Sequence, residues 1–194
     1  MKWMGLAAFV GIVALIAFHL IAVHGDGTAI QSPSTPYAGM EQRPVKGLSD
    51  QQISDLKAGR GMGLALPAEL NGYPGPAHVL ELADTLQLSD EQRMKTKALF
   101  DAMKAETIPI GAQIIADETT LDHMFADKGI TRASLDAIAA RIGEEQGKLQ
   151  AAHLSYHLAM MEVLSPPQVA RYAELRGYVE GGQHLSLIHI SLVG

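Results

Sequence analysis

Two histidines, His153 and His157, are four residues apart in a long segment of periodic apolar residues. In an α-helix this spacing places both imidazoles on one face, where they can chelate a transition metal. Met160 and Met161 follow within one turn and can offer thioethers to a softer metal such as copper. The pattern points to nickel, zinc or copper as a candidate cofactor, although nothing in the sequence requires one.

Further candidate ligands come from the preceding helical segment. If the chain folds back as two antiparallel helices, Met103 and Glu106 lie roughly level with His153. The metal-binding hypothesis then comprises four residues: His153, His157, Glu106 and Met161. The alternative is that the two histidines are surface residues with no ligand role, because ligand spacing alone does not supply the supporting contacts of a metal site.

Three short segments, residues 48–52, 88–92 and 164–168, repeat the pattern Leu-Ser-x-x-Gln. In each, the serine hydroxyl can accept a first-turn backbone N–H, and the glutamine can reach back to the serine N–H. This reciprocal arrangement is a capping box, and it marks the start of a helix. The predicted capping residues are Ser49, Gln52, Ser89, Gln92, Ser165 and Gln168.

Apolar residues then recur at helical intervals in two long segments. The first segment carries Leu99, Met103, Ile110, Ile114, Leu121 and Phe125, and the second carries Leu135, Ile138, Ile142, Leu149, Ala152, Tyr156, Ala159 and Val163. Pro109 lies inside the first segment and is expected to kink or split that helix. Shorter helices are predicted from Ser49 to near Gly59, over 77–87, and from Pro166 to about Tyr178. The predicted fold is all-α: a long antiparallel helical hairpin with short flanking helices.

Composition restricts the function and the compartment. The 194 residues carry a net charge of -6 with no basic cluster, so a nucleic-acid partner is not expected. The absence of cysteine excludes disulfides and thiolate zinc sites. Residues 1–24 contain Lys2 followed by an apolar run over 3–23, which predicts export through a cleaved signal peptide or a retained membrane anchor. The protein is therefore expected in the periplasm.

The remaining boundaries follow from composition. Residues 25–47 are rich in Gly, Pro, Ser and Thr and predict a flexible linker, and residues 48–180 form the helical domain. Residues 185–194 resemble the translation of a sequencing-library adapter, so they are interpreted as an artefact and left out of functional reasoning.

The last two Leu-Ser-x-x-Gln copies bracket a long helical stretch behind an export segment. This arrangement, over roughly residues 75–178, resembles the Spy/CpxP family of periplasmic proteins, whose signature is a repeated Leu-Thr-x-x-Gln motif. The resemblance implies a cradle-like homodimer, and the family includes ATP-independent chaperones, envelope-stress regulators and metal-responsive proteins. The ligands of the metal-sensing relatives would fall near Val79, Ala83, Tyr156 and Met160, so this chain keeps only the methionine.

The favoured function from sequence is an ATP-independent chaperone-like protein that binds unfolded envelope proteins during stress. Its candidate client-binding residues are Met94, Met103, Ile110, Ile114 and Met160, since flexible apolar side chains suit promiscuous surfaces. One alternative is a heavy-metal-binding sensor or resistance protein. Another is a regulatory partner of a membrane sensor kinase. No enzyme is predicted: for example, the glycine-rich stretch 59–63 lacks the Lys-Ser/Thr of a phosphate-binding loop.

Overall fold

A computed structural model describes residues 36–178 of the chain. The predicted export segment and residues 185–194 lie outside this range. The described residues contain no strand and form six α-helices: α1 (Asp50–Ala58), α2 (Leu66–Glu69), α3 (Pro76–Glu81), α4 (Asp90–Ala126), α5 (Arg132–Met161) and α6 (Pro166–Leu175). The predicted all-α class is therefore confirmed. Among these helices, none has both the length and the apolar character needed to cross a membrane.

Helices α4 and α5 pack against each other as the predicted antiparallel hairpin. Near the turn, Arg141 pairs with the buried Asp117, and further from it the Tyr156 hydroxyl donates to Glu106 at 2.9 Å. Helix α4 runs without interruption through Pro109, so of the two predicted outcomes, a kink or a split, the split does not occur. Pro109 lies on the exposed side of α4, where water can satisfy the carbonyl that loses its N–H partner.

The flanking helices pack on this hairpin. Helix α1 begins after Ser49 and ends before Gly59, as predicted, and lies on α4. The approach is close because Gly111 has no side chain: a Cβ there would come within 2.5 Å of the Leu56 carbonyl oxygen. Before α1, Val45 is already buried, so part of the predicted linker packs on the domain.

Helix α3 is shorter than the helix predicted over 77–87. It ends at Glu81, and the chain continues as turns to Gln87, whose backbone is left-handed with φ 52°. These turns bury Leu86 and Leu88. Burial of both leucines in the core outweighs the local preference for more helix.

The glutamines of the last two repeated motifs form a direct bridge between their helices. The Gln92 amide donates to Gln168 Oε1 at 2.7 Å and to the Val163 carbonyl at 2.9 Å. In return, the Gln168 amide donates to Gln92 Oε1 at 3.0 Å and to the Leu86 carbonyl at 3.2 Å. Each glutamine also closes its own capping box. The motif therefore joins the start of α4 to the start of α6 as well as capping both helices.

Two buried clusters form the core. At the open end of the hairpin the cluster comprises Val79, Ala83, Leu86, Leu88, Met160, Leu164 and Tyr172. The other, beneath α1, comprises Val45, Leu48, Leu56, Ile114 and Leu149. Along α5, His153 and His157 lie between Leu149 of one cluster and Met160 of the other. The two histidines therefore occupy the interval between the two cores.

Candidate metal-binding cavity

A cavity of about 550 Å³ lies between the two core clusters, beside His153 and His157. Its walls come from the glycine-rich stretch 59–63, from α2 and the start of α3, and from one face each of α4 and α5. We call it the histidine cavity and define it by five lining residues: Glu69, His78, Met103, His153 and His157. The hairpin therefore supplies two imidazoles and a thioether, and the short helices supply a third imidazole and a carboxylate.

His153 is a buried imidazole with an unused nitrogen. The residue is 3 % exposed, and its Nε2 atom has no hydrogen-bond partner. Burial lowers its pKa, and the neighbouring His157 lowers it further, while Glu106 acts in the opposite direction. His153 is therefore neutral at physiological pH. A neutral imidazole is the form that binds metals.

His157 is held in one tautomer by the backbone. Its Nδ1 atom lies 2.7 Å from the carbonyl oxygen of Tyr73. A carbonyl oxygen only accepts hydrogen bonds, so Nδ1 carries the proton and, in the neutral ring, Nε2 carries the lone pair. Its Cε1 and Nε2 atoms face Gly75, where a Cβ would come within 2.8 Å. The hydrogen bond from Nδ1 to the Tyr73 carbonyl is of the kind that usually orients a metal-binding histidine.

Glu69 is a buried carboxylate beside these imidazoles. Its Oε1 atom accepts hydrogen bonds from the hydroxyls of Tyr172 and Tyr178, the second at 3.0 Å, and lies 3.3 Å from Nδ1 of His78. Burial opposes its ionisation, but the contacts from His78 and the two tyrosines dominate and lower the pKa to about 2. Glu69 is therefore ionised at neutral pH. Its Oε2 atom lies 3.7 Å from Nδ1 of His157.

Unsatisfied polar atoms are concentrated here. In the described part of the chain, four buried side-chain nitrogen or oxygen atoms lack a hydrogen-bond partner, and three belong to Glu69, His78 and His153. Buried polar groups are normally paired, and an unpaired cluster indicates a missing water, ion or ligand. Within residues 36–178, no group of three or more His, Asp or Glu side chains has the arrangement of a preformed metal site. Metal binding therefore requires some side chains to move.

The predicted metal ligands do not all reach this cavity. His153 and His157 line it, and Met103 faces them from α4 as the predicted register requires. Glu106 instead lies at the exposed surface, where it accepts the hydrogen bond from Tyr156, and Met161 is half-buried away from the cavity.

The predicted client-binding residues are dispersed between surface and core. Met94 is 67 % exposed, whereas Ile110 is partly buried against the cluster beneath α1. Met103, Ile114 and Met160 are buried, with Met160 at 0 % exposure. These three therefore do not lie on an exposed surface of the described domain.

Sequence reasoning did not identify Glu69, and nothing local could have done so. Its tyrosine partners are 103 and 109 residues further along the chain. His78 was a weaker omission, since it lies one position from a ligand position implied by the family resemblance. The sequence excludes the glycine-rich stretch as a phosphate loop and assigns it no other role; in the structure it borders the cavity beside His153, with Gly61 next to the ring.

Comparison with known proteins supports a metal-related role. A family model described as heavy-metal resistance matches residues 63–171, more than half of the chain. The chain belongs to the heavy-metal resistance family. This family is related to the Spy/CpxP group, so the resemblance based on the repeated motif is confirmed at that broader level. The match includes all five residues that define the histidine cavity. No curated protein and no solved structure matches the chain.

Proposed function

We propose that this heavy-metal resistance protein binds a transition-metal cation in the histidine cavity, as a periplasmic sensor or resistance component. The observation that carries the proposal is His153, a neutral imidazole 3 % exposed whose Nε2 atom has no partner and which lines a cavity. A buried polar atom without a partner costs roughly 1–3 kcal/mol, which coordination to a metal would recover. The proposed role is binding, without catalysis.

The cavity residues would have two roles in binding: some donate to the ion, and one neutralises its charge. His153 and His157 supply nitrogen donors, and His78, which lines the same cavity, is a third candidate donor. Ionised Glu69 offsets the positive charge of the ion from within the protein. The bound ion would supply the cross-link between α5 and the short helices. Binding would therefore also stabilise the fold.

This function is tested by titrating the full-length protein in mild detergent with Zn²⁺, Ni²⁺ and Ag⁺. Replacing both His153 and His157 with glutamine removes two donors, and we expect the affinity for whichever ion binds best to fall by about 100-fold or more. Binding is measured by calorimetry and by the metal-dependent rise in melting temperature.

The matched control is His123→Gln, because His123 is exposed at the end of α4, outside the cavity. That variant should bind as the wild type does. Two results would overturn the proposal: a wild-type protein that binds none of the three ions, or a double variant that keeps the wild-type affinity.

A second candidate function, the chaperone-like activity favoured by the sequence, is supported by exposed apolar residues beside the cavity, two of which, Met62 and Leu66, also line it. In α2 and the segments on either side of it, four apolar side chains are exposed: Met62 at 40 %, Leu66 at 52 %, Leu70 at 58 % and Tyr73 at 38 %. Exposed apolar side chains grouped in one segment are typical of surfaces that bind other proteins. We propose that an exported homodimer would use this surface to hold unfolded envelope proteins, or to dock on a membrane sensor.

The chaperone-like function is tested with Leu66→Ser combined with Leu70→Ser in the full-length protein. In excess chelator, the wild type should suppress aggregation of a chemically denatured client at near-equimolar ratio, and the double variant should lose most of that suppression because its apolar contact surface is reduced. Light scattering measures the aggregation. Phe125→Ser is the control, since Phe125 is 51 % exposed but lies in the last turn of α4, outside the apolar surface around α2. Equal suppression by all three proteins would contradict the assignment.

A further inference from the structure

The sulfur atoms around the histidine cavity narrow the kind of metal it would take. Two methionines line the cavity, Met62 from the glycine-rich stretch and Met103 from α4. The sequence has no cysteine, so thioethers are the only sulfur donors the protein can offer. Thioether sulfur is a soft ligand and favours Cu(I) over zinc, nickel or harder ions.

We propose that the histidine cavity is a site for a soft monovalent cation, Cu(I) or its analogue Ag(I), bound by the thioethers of Met62 and Met103 and by Nε2 of His153. This inference rests on the proposed metal-binding function and specifies the ion and two further ligands. It combines the methionine thioethers with one of the imidazoles named above, that of His153.

The arrangement of the other donors favours a low coordination number. A divalent ion such as zinc is normally held by four ligands, and within residues 36–178 no cluster of three His, Asp or Glu side chains is arranged to provide them. The carboxylate of Glu69 is already engaged through Oε1 by two tyrosine hydroxyls. One imidazole and two thioethers require neither a carboxylate ligand nor a fourth donor.

The backbone at Met62 is consistent with a ligand role. Met62 has φ 47°, in the left-handed region, between two glycines that could adopt this conformation at lower cost. A non-glycine residue in this region costs roughly 1–3 kcal/mol, and such residues are concentrated at functional sites. Here the strained residue places a thioether-bearing side chain at the cavity wall.

The test compares Ag⁺ with Zn²⁺ and Ni²⁺ on the full-length protein and on two variants, Met62→Leu and Met103→Leu. Silver is the probe because it needs no reductant during the titration. We expect the wild type to bind Ag⁺ about 100-fold or more tightly than either divalent ion, since thioethers select soft cations. Each methionine variant should lose about 10-fold or more in Ag⁺ affinity and much less in affinity for Zn²⁺ and Ni²⁺, so its preference for silver narrows.

Leucine is close to methionine in volume, so both variants should fold, and urea unfolding verifies this. The matched control is Met94→Leu, because Met94 is 67 % exposed and does not line the cavity. Preference for Zn²⁺ or Ni²⁺, or Ag⁺ binding unaffected by both variants, would overturn this inference and leave the metal-binding function standing. A wild type that binds none of the three ions would overturn both.

Discussion

Replacing Glu69 with glutamine is expected to destabilise the metal-free protein by about 3 kcal/mol at pH 7, since hydrogen bonds to a charged group contribute roughly 1.5–3 kcal/mol each. The carboxylate is 5 % exposed and accepts hydrogen bonds from Tyr172 and Tyr178. Arg176 lies 3.7 Å away. Because these contacts join α2 to α6 and the residues that follow it, their loss should weaken attachment of the carboxyl-terminal segment to the hairpin.

The pH dependence of this effect follows from the pKa of Glu69. Its pKa in the folded protein is about 2, below the ordinary value of 4.5. A carboxyl group with a lowered pKa stabilises the folded state fully above its unfolded-state pKa, and this contribution disappears as the pH falls through the folded-state value. We therefore expect wild type and Glu69→Gln to differ most above pH 5 and to converge between pH 4.5 and pH 2.

Urea unfolding at a series of pH values measures both effects. The matched control is Glu91→Gln, because Glu91 is exposed and forms only an ion pair with Lys95, one turn away. Its free energy of unfolding should remain close to that of the wild type. Equal stability of wild type and Glu69→Gln at pH 7 would show that the buried carboxylate does not hold α6 in place.

The long helices were predictable because their signals are local. Ser89 and Gln92 are three residues apart, and the structure shows both halves of their capping box. The same holds for Ser49 and Gln52 at the start of α1. The apolar stripes likewise depend only on residues within one helix. Neither kind of signal requires knowledge of what the helix packs against.

The second role of the motif glutamines was not predictable in this way. Gln92 and Gln168 bond to each other across 76 residues of sequence. The capping boxes already account for both glutamines, so nothing in the sequence indicates a further contact between them. Only the three-dimensional arrangement of α4 and α6 reveals it.

The candidate site was predictable only where its residues lie on the long helices, whose signals are local. The helical spacing of His153 and His157 placed them together, and the hairpin register placed Met103 opposite them. By contrast, Glu69 and His78 lie in or beside short helices whose position depends on tertiary packing. The sequence therefore indicates the candidate ligands on the long helices and misses those on the segments that cover them. It also predicts Glu106 and Met161, which lie outside the cavity.

Replacing Met160 with alanine is expected to destabilise the domain by about 2–5 kcal/mol, because truncating a buried methionine leaves a cavity. Met160 is 0 % exposed and belongs to the cluster at the open end of the hairpin, which also contains Val79 and Tyr172. Met160→Leu nearly conserves volume and should cost less than about 1.5 kcal/mol. Urea unfolding of the two variants and the wild type measures both values.

Met94→Ala is the matched control, since Met94 is 67 % exposed and should change stability by no more than about 0.5 kcal/mol. The sequence predicts both Met94 and Met160 as client-binding residues, and the two alanine variants distinguish between them. If Met160 contacted clients, its alanine variant would lose aggregation suppression at unchanged stability, which would contradict the burial seen here. Periodicity shows that an apolar residue lies on a stripe; only packing decides whether that stripe faces the core or solvent.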